Sequence, residues 1–299
     1  MDKILMSGAS GFIGSYIYES IKSEFDVTTI GRKKSSNIYL DLESLNDEPV
    51  LEDSFKTDVY IHCAGVIDEE FKYNEDKPWN KVLIGIPKLL NMLVSKNVKK
   101  LIYISTMHVY GKTDKHINEA TCADPISDYA IAHFVTEQIF KRTGVETVIL
   151  RPSTVYGLSR NFNNFKRESL IQYDFPKQII TNNSIKLNTS GEQKLNFVDI
   201  DVLAQAVKIE LKRKKKCINK VVNIAGGIEI SVKDYAYIVK NTYESIVGEK
   251  SEIIINDSKR VGNDNFHYET SCPIKTDLSI EDDVSFVLKT LIAKGGKLV

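Results

Sequence analysis

Near its N-terminus the chain reads Gly8-Ala9-Ser10-Gly11-Phe12-Ile13-Gly14, between an apolar run at residues 3–6 and an amphipathic run at residues 15–24. The first run predicts a strand and the second a helix. Glycines at such a junction let a diphosphate approach free N–H groups at the start of the helix. The stretch predicts a dinucleotide site, although glycines with this spacing also occur in plain turns. The predicted contacts are Gly8, Ser10, Gly11, Phe12, Ile13 and Gly14.

Strand and helix signals alternate beyond this turn. Strands are predicted at residues 25–30, 58–63, 100–105 and 147–150, and helices at residues 81–96 and 129–141. Pro87 should start or kink its helix. Residues 158–190 are polar and rich in asparagine, which predicts loops with one short helix.

This alternation predicts the α/β class, with a doubly wound parallel Rossmann sheet and a smaller α+β C-terminal substrate domain. We expect the nucleotide-binding domain at residues 1–157 and the substrate domain mainly at residues 158–299. Residues 192–226 should return to the first domain.

Composition excludes several classes of protein. Of 299 residues, 42% are hydrophobic and 27% charged, which rules out a disordered, collagenous or coiled-coil chain. Forty basic residues balance forty acidic ones, so neither nucleic acid nor an anionic membrane is an expected partner. The four cysteines are too scattered for a disulfide framework or a zinc site, and no metal is expected. Without a secretory or membrane-spanning segment, the expected location is cytoplasmic.

The residues after the second predicted strand bear on the choice of cofactor. An acidic residue there would bind the ribose 2′-hydroxyl of NAD, but this chain has Gly31-Arg32-Lys33. Arg32 is suited to a 2′-phosphate, which favours NADP, with NAD possible. The alternative is a solvated pair of surface cations.

Five further motifs follow in a characteristic order. They are His62-Cys63-Ala64-Gly65, Ser105-Thr106-Met107-His108-Val109-Tyr110-Gly111, Pro125-x-x-x-Tyr129, Arg151-Pro152-Ser153-Thr154-Val155-Tyr156-Gly157 and Asn196-Phe197-Val198-Asp199-Ile200-Asp201. With the glycine turn, they make the chain resemble the extended short-chain dehydrogenase/reductases, especially those that act on nucleotide-activated sugars. The resemblance extends from residue 3 to about residue 290.

The resemblance implies a catalytic pair. Tyr129 would exchange a proton with the sugar oxygen while hydride moves to or from nicotinamide, and Thr106 would orient that oxygen. Further contacts to the cofactor are implied for Asp41, Leu42, Ala64, Gly65, Tyr129, His133 and Pro152.

The chain departs from the family at position 133, where His133 replaces the usual lysine one helical turn after the tyrosine. Three interpretations stay open. His133 binds the ribose and, when protonated, stabilises a phenolate, which would make activity depend on pH near neutrality. Alternatively, a reductase does not need a lowered tyrosine pKa, since a neutral phenol donates a proton to a ketone. Finally, the protein binds cofactor without turnover.

Other departures concern the substrate. Met107 and His108 stand where sugar dehydratases of the family carry an Asp-Glu pair, which argues against dehydration. His108 is a candidate acid or base, or else a packed histidine. Val82 replaces the usual asparagine before Gly85, so the local hydrogen bonding should differ.

The candidate contacts to the substrate diphosphate are less regular. Leu195 stands where the family has an arginine, and Lys194 lies one place earlier. Arg260 matches a second arginine of the family. Asn163 and Asn164 occupy positions that often contact the diphosphate, or belong to a surface loop. With His108, these residues complete the predicted substrate set.

The resulting expectation is an NADP(H)-dependent reduction of a keto group, at C4, on a nucleotide-linked 6-deoxy sugar for cell-surface polysaccharide. The alternatives are a nucleotide-sugar 4-epimerase with tightly bound NAD, and a non-catalytic NAD(P)-binding protein. By resemblance, the chain should form a homodimer through helices near residues 81–96 and 126–141.

Overall fold

The computed structural model describes residues 2–44, 51–52, 54–73, 76–112, 115–256 and 266–295. Its strands are β1 (Lys3–Ser7), β2 (Asp26–Gly31), β3 (Ile38–Tyr39), β4 (Val59–His62), β5 (Lys100–Ile104), β6 (His116–Ile117), β7 (Glu146–Pro152), β8 (Thr154–Tyr156), β9 (Ser184–Leu187), β10 (Lys194–Asp199), β11 (Lys220–Ile224), β12 (Ile228–Ser231), β13 (Glu252–Ile255) and β14 (His267–Tyr268). Its α-helices are α1 (Phe12–Ile21), α2 (Asp68–Tyr73), α3 (Asp76–Asn80), α4 (Ile86–Ser95), α5 (Asp128–Lys141), α6 (Leu158–Asn161), α7 (Ile171–Asn182), α8 (Ile200–Lys212), α9 (Val232–Val247) and α10 (Ile280–Ala293).

The main sheet is parallel throughout, in the order β11-β7-β5-β4-β1-β2-β3. Every residue of β4 and β5 is buried, because helices cover both faces of the sheet. This confirms the predicted Rossmann-type class. Parallel strands end at the same edge, so the segments that follow β1, β4, β5 and β7 meet there.

Two apolar layers enclose this sheet. On one side Ile17 of α1 packs with Leu203 and Val207 of α8. On the other, Leu89 of α4 and Phe140 of α5 pack against the opposite faces of the strands. Among the described residues, no helix combines the length and the apolar character needed to cross a membrane.

The second core lies among α7, α9, α10 and the small sheet β12-β10-β8. The expectation of loops with one short helix at residues 158–190 understated the regular structure, because that range contains α6, the twelve-residue α7 and β9. Helix α7 holds Pro176 in its interior and buries Tyr173, Phe175 and Ile179. Packing of this apolar face outweighs the polar, asparagine-rich composition from which loops were expected.

The helix containing Pro87 begins as expected from its proline. Residues Lys81–Gly85 form a π-helical segment, and α4 starts at Ile86 with Pro87 in its first turn. Gly85 is required at this place, since an added Cβ would lie 2.0 Å from the carbonyl oxygen of Leu42. The π-helical segment changes the direction of the side chains within it, Lys81 included.

Candidate active site

The glycine turn forms a cradle at the carboxyl end of β1. Gly8 has a φ angle of +75°, and a Cβ there would lie 2.4 Å from the carbonyl carbon of Cys63. A Cβ on Gly14 would lie 2.1 Å from the oxygen of Gly8, so the turn and α1 touch through backbone alone. Gly11 caps α1 without a side chain, leaving the helix N-terminus open to an anion. These residues therefore fit the diphosphate of a dinucleotide.

The remaining residues of the turn connect it to the chain after β8. The Phe12 ring meets Phe165 edge to face, with centroids 5.3 Å apart. Asn161 donates from Nδ2 to the carbonyl oxygen of Phe12 at 2.7 Å. Ile13 packs against the main core and Ser10 is half-buried. The chain after β8 and the main core thus both contact the turn.

Arg32 lies just beyond the end of β2, and its side chain is 51% exposed. Its Nη1 lies 2.7 Å from Glu43 and 4.0 Å from Asp41. Asp41 accepts the backbone N–H of Glu43 at 3.1 Å, while Leu42 is buried beside Gly85 of the π-helical segment. Arg32 therefore stands at the end of β2, as the sequence places it, with part of its charge already paired.

Thr106 and Tyr129 come together as the motifs predicted. Thr106 follows β5, and its Oγ1 accepts the backbone N–H of His108 at 3.2 Å. Tyr129 lies in the first turn of α5, which Ser127 caps. Burial raises the pKa of Tyr129 above its ordinary value, although a hydrogen bond with Thr106 acts in the opposite direction. The phenol is consequently protonated at neutral pH.

His108 borders the same site. Its ring lies edge to face with Tyr129, with centroids 5.9 Å apart. The side chain is open to solvent on one side, yet the protein atoms packed around the rest of it desolvate the ring and lower its pKa. His108 is thus an uncharged neighbour of the phenol at neutral pH.

His133 is buried one turn after Tyr129, and the two ring centroids are 4.5 Å apart. Its Nδ1 accepts from the Tyr103 hydroxyl at 2.6 Å and its Nε2 donates to the Val66 carbonyl at 3.3 Å. Burial lowers the pKa of His133 to about 4, although the bond to Val66 acts in the opposite direction. This pKa favours a neutral ring near pH 7 and argues against the interpretation in which a protonated His133 stabilises a phenolate.

Lys81 is a site residue that the sequence analysis missed. Its ammonium is nearly buried and donates to the Gly65 carbonyl at 3.2 Å. Glu43 and Glu70 flank it at 3.7 and 3.9 Å. In the same loop, a Cβ on Gly65 would lie 3.0 Å from Cε1 of His133. Lys81 and His133 thus both contact the predicted cofactor loop, and the available signal for Lys81 was a lysine beside the anomalous Val82.

Carboxylates also reach the site from α2. Arg167 pairs with Asp68 through Nη2 and lies 3.4 Å from Glu69 through Nε. All three influence the Tyr129 pKa, Arg167 downward and the two carboxylates upward. No motif marked these residues, because they come from two polar segments far apart in the chain.

A buried ion pair fixes the elements that carry the catalytic pair. Arg151 of β7 donates to Glu137 of α5 from Nε at 2.9 Å and from Nη2 at 2.6 Å. Ser105 donates to the same carboxylate at 2.6 Å. This bidentate contact ties together β5, β7 and α5. Pro152 lies buried at the end of β7, and Ala64 follows β4 half-buried.

The predicted substrate residues are placed less uniformly. Asn163 is exposed, while Asn164 donates to Oδ1 of Asn161 at 2.8 Å. Lys194 begins β10 in the small sheet and is half-buried. Arg260 falls outside the described residues.

Comparison with known proteins agrees with the Rossmann-type fold. A family model described as the NAD dependent epimerase/dehydratase family matches residues 4–225. A putative UDP-glucose 4-epimerase of Methanocaldococcus jannaschii is 29% identical over 262 residues, covering 80% of this chain and 81% of the relative.

Two solved structures share the fold. One is a mutant UDP-glucuronic acid 4-epimerase of Bacillus cereus in complex with UDP-4-deoxy-4-fluoro-glucuronic acid and NAD, with a TM-score of 0.77, 21% identity and coverage of 98% of this chain and 99% of that chain. The other is RMD from Pseudomonas aeruginosa complexed with NADPH, with a TM-score of 0.75, 17% identity and coverage of 97% and 98%. At these identities the likeness concerns the fold.

Proposed function

Because the chain belongs to the NAD-dependent epimerase/dehydratase family, we propose that it reduces a keto group on a nucleotide-linked sugar. The proposed substrate carries a 4-keto group on a 6-deoxy sugar, and the proposed cofactor is NADPH. The product would be an activated sugar for cell-surface polysaccharide.

One observation carries the choice of reduction: the tyrosine has no cation one turn away. His133 is neutral, and burial raises the Tyr129 pKa. Oxidation of an alcohol needs a base, so a high phenol pKa opposes it. Reduction of a ketone needs an acid, and a protonated phenol already is one. The site therefore favours proton donation over proton removal.

The roles of the chain's own residues follow from their positions. Tyr129 would donate its proton to the substrate oxygen, and Thr106 would orient that oxygen. The Arg151–Glu137 pair would fix both elements during the step. When bound, reduced nicotinamide would supply the hydride. The glycine turn would bind its diphosphate, and Lys81 with His133 would position the loop at Gly65.

Arg32 supports NADPH as the cofactor. It stands where an acidic residue would select NAD, and half of its side chain is exposed. The nearby Glu43 shares its charge, so we expect a preference for NADPH that still admits NADH.

The second candidate is a 4-epimerase, which the named relative from Methanocaldococcus jannaschii favours. This activity would use tightly bound NAD and would oxidise the sugar before reducing it again. It requires the phenol to act as a base in its first half, which the raised pKa of Tyr129 opposes.

We also propose a homodimer through the helices at residues 81–96 and 126–141. Leu83 and Ile84 are 56% and 45% exposed, and Ile126 is 67% exposed. Leu83 and Ile84 lie in the π-helical segment before α4, and Ile126 lies two residues before α5. Exposed apolar side chains at these positions are suited to a second copy of the chain.

Purified protein with NADPH, or separately NADH, and a dTDP-linked 4-keto-6-deoxy sugar tests the proposal. Reduction predicts net loss of NADPH matched by the hydroxyl product. Epimerisation predicts copurified NAD and interconversion of UDP-glucose with its 4-epimer, without net consumption of NADPH. Cofactor binding without turnover on either substrate would favour the non-catalytic alternative.

A further inference from the structure

A cluster of histidine and carboxylate side chains lies on the short parallel pair β6–β14. The strand register places His116 directly opposite His267, and their ring centroids are 5.0 Å apart. Glu269 follows two residues later, and its N–H donates to the Ile117 carbonyl at 2.9 Å. Its Oε1 lies 3.0 Å from Nε2 of His116. Backbone pairing thus sets the positions of all three side chains.

The distances within this cluster match those of a metal site. One ligand atom from each of His116, His267 and Glu269 lies within 4.8 Å of the others. Two donor atoms that both bind a metal at about 2.1 Å can be at most about 4.2 Å apart. The three ligand atoms therefore need to move only slightly closer together to bind one ion. All three side chains are about half exposed, which gives an ion and a water molecule access.

A further carboxylate orients one of the histidines. Oε2 of Glu229 lies 3.0 Å from Nδ1 of His267. Glu229 is itself fixed, because its Oε1 accepts the Tyr268 N–H at 2.9 Å and Nδ2 of Asn196 at 3.2 Å. A carboxylate that accepts from one ring nitrogen leaves the other nitrogen as a lone-pair donor. This is the arrangement that orients many metal-binding histidines.

We propose that His116, His267 and Glu269 bind one divalent transition-metal ion of the Zn²⁺ class, with Glu229 orienting His267. Two imidazoles and a carboxylate suit Zn²⁺, with water as the fourth ligand, whereas Mg²⁺ and Ca²⁺ prefer all-oxygen sites. Cysteine spacing predicted no metal, and this site contains no cysteine. His116 lies 151 residues before His267 in the sequence, so no motif marks the ligands.

The bound ion would fasten the segment around β14 to the rest of the molecule. Tyr268, between the two ligands on that strand, donates its hydroxyl to the Arg151 carbonyl at 2.8 Å. Thr270 donates to the Asn223 carbonyl. The ion would add a link to β6 and, through Glu229, to β12. We therefore assign it a structural role that is independent of the proposed reaction.

Without a metal, the same residues form two separate histidine–carboxylate pairs, His116–Glu269 and His267–Glu229. Such pairs would account for the short distances between these side chains, but they would not bind Zn²⁺ selectively. The affinity for the metal alone therefore distinguishes the two cases.

The test uses the full chain, stripped of metal with a chelator, and titrated with Zn²⁺ by calorimetry. We expect one Zn²⁺ per chain and a higher melting temperature in its presence. Co²⁺ should give visible absorption bands typical of a nitrogen- and oxygen-ligated site of low coordination number. Wild-type protein that binds neither ion above the background of non-specific binding would overturn the proposal.

Variants then assign the ligands. His116→Ala and His267→Ala should each weaken Zn²⁺ binding by at least roughly 10-fold, and Glu229→Gln by roughly 10–100-fold. His108→Ala is the matched control and should bind Zn²⁺ as the wild type does. Glu269→Gln, which preserves size, replaces any alanine variant that fails to fold. Unchanged Zn²⁺ affinity in the folded cluster variants would overturn the assignment.

Discussion

The glycine turn and the floor of the site (Gly65, Val66, Lys81, Tyr103 and His133) lie at neighbouring strand ends but are built in different ways. Contacts within the turn are between backbone atoms, with a Cβ on Gly14 only 2.1 Å from the oxygen of Gly8. In the floor, His133 of α5 and Lys81 of the π-helical segment bind the loop after β4, and Tyr103 of β5 holds the His133 ring.

This difference shows where the chain departs from its family. The turn keeps the glycine pattern, and a side chain at Gly8 or Gly14 would collide with backbone. The floor lacks the usual lysine, yet a buried ammonium from Lys81 and a neutral ring from His133 hold the Gly65–Val66 loop. The loop is therefore still held in place, while the ammonium expected one helical turn after the tyrosine is replaced by the His133 ring.

The largest effect is expected when the phenol is removed. Tyr129→Phe should lower turnover by at least about 100-fold, since the proton donor is lost. NADPH affinity should stay within about twofold, because the turn is untouched. Steady-state rates and a fluorescence titration check both, with the exposed Tyr39→Phe as control. Substantial turnover in Tyr129→Phe would place the proton donor elsewhere.

Two substitutions should distinguish a glycine whose side-chain-free backbone the turn requires from one that could carry a methyl group. Gly14→Ala should lower the free energy of unfolding by on the order of 3 kcal/mol and abolish NADPH binding. Gly11→Ala should fold normally, since its Cβ would lie 3.5 Å from the Gly8 oxygen, an ordinary contact. Thermal melts of both variants test this, and equal melting temperatures would show that the turn relaxes freely.

Lys81 tests the floor in the same way. Lys81→Met removes the donor to the Gly65 carbonyl, so we expect roughly 10-fold weaker NADPH binding. Lys81→Arg should recover part of the loss, whereas the exposed Lys72→Met should have no effect. If Lys81→Met lowers the melting temperature but leaves NADPH affinity unchanged, its role is confined to stability.

The smallest effect is expected at the cofactor edge. Arg32→Ala should weaken NADPH binding by about fivefold and leave NADH unchanged, because Arg32 is half exposed and shares its charge with Glu43. Lys33→Ala is the neighbouring control. Titration with NADPH and with NADH measures the ratio of the two affinities. An equal loss of NADH affinity would mean that Arg32 attracts either cofactor by its charge and does not select NADPH.

The sequence predicted those parts of the molecule whose structure depends on local patterns. The strand–glycine–helix unit and the alternation around it follow from residue periodicity and turn chemistry. The family motifs placed Thr106 beside Tyr129. The floor was not predictable in this way, because Lys81 reaches Gly65 only through the π-helical segment. Likewise, the low pKa of His133 depends on burial of its ring by other elements of the fold, which the local sequence does not show.

The central claim is that the surroundings of Tyr129 contain a neutral His133, which leaves the phenol as an acid. Selective labelling of histidine ring carbons allows each ring to be titrated by NMR, and His133→Gln identifies the signal of His133. With the pKa lowered to about 4, that signal should not shift between pH 6 and 8.5. A titration midpoint near pH 6.5 would contradict the account and restore a protonated His133 as a partner for a phenolate.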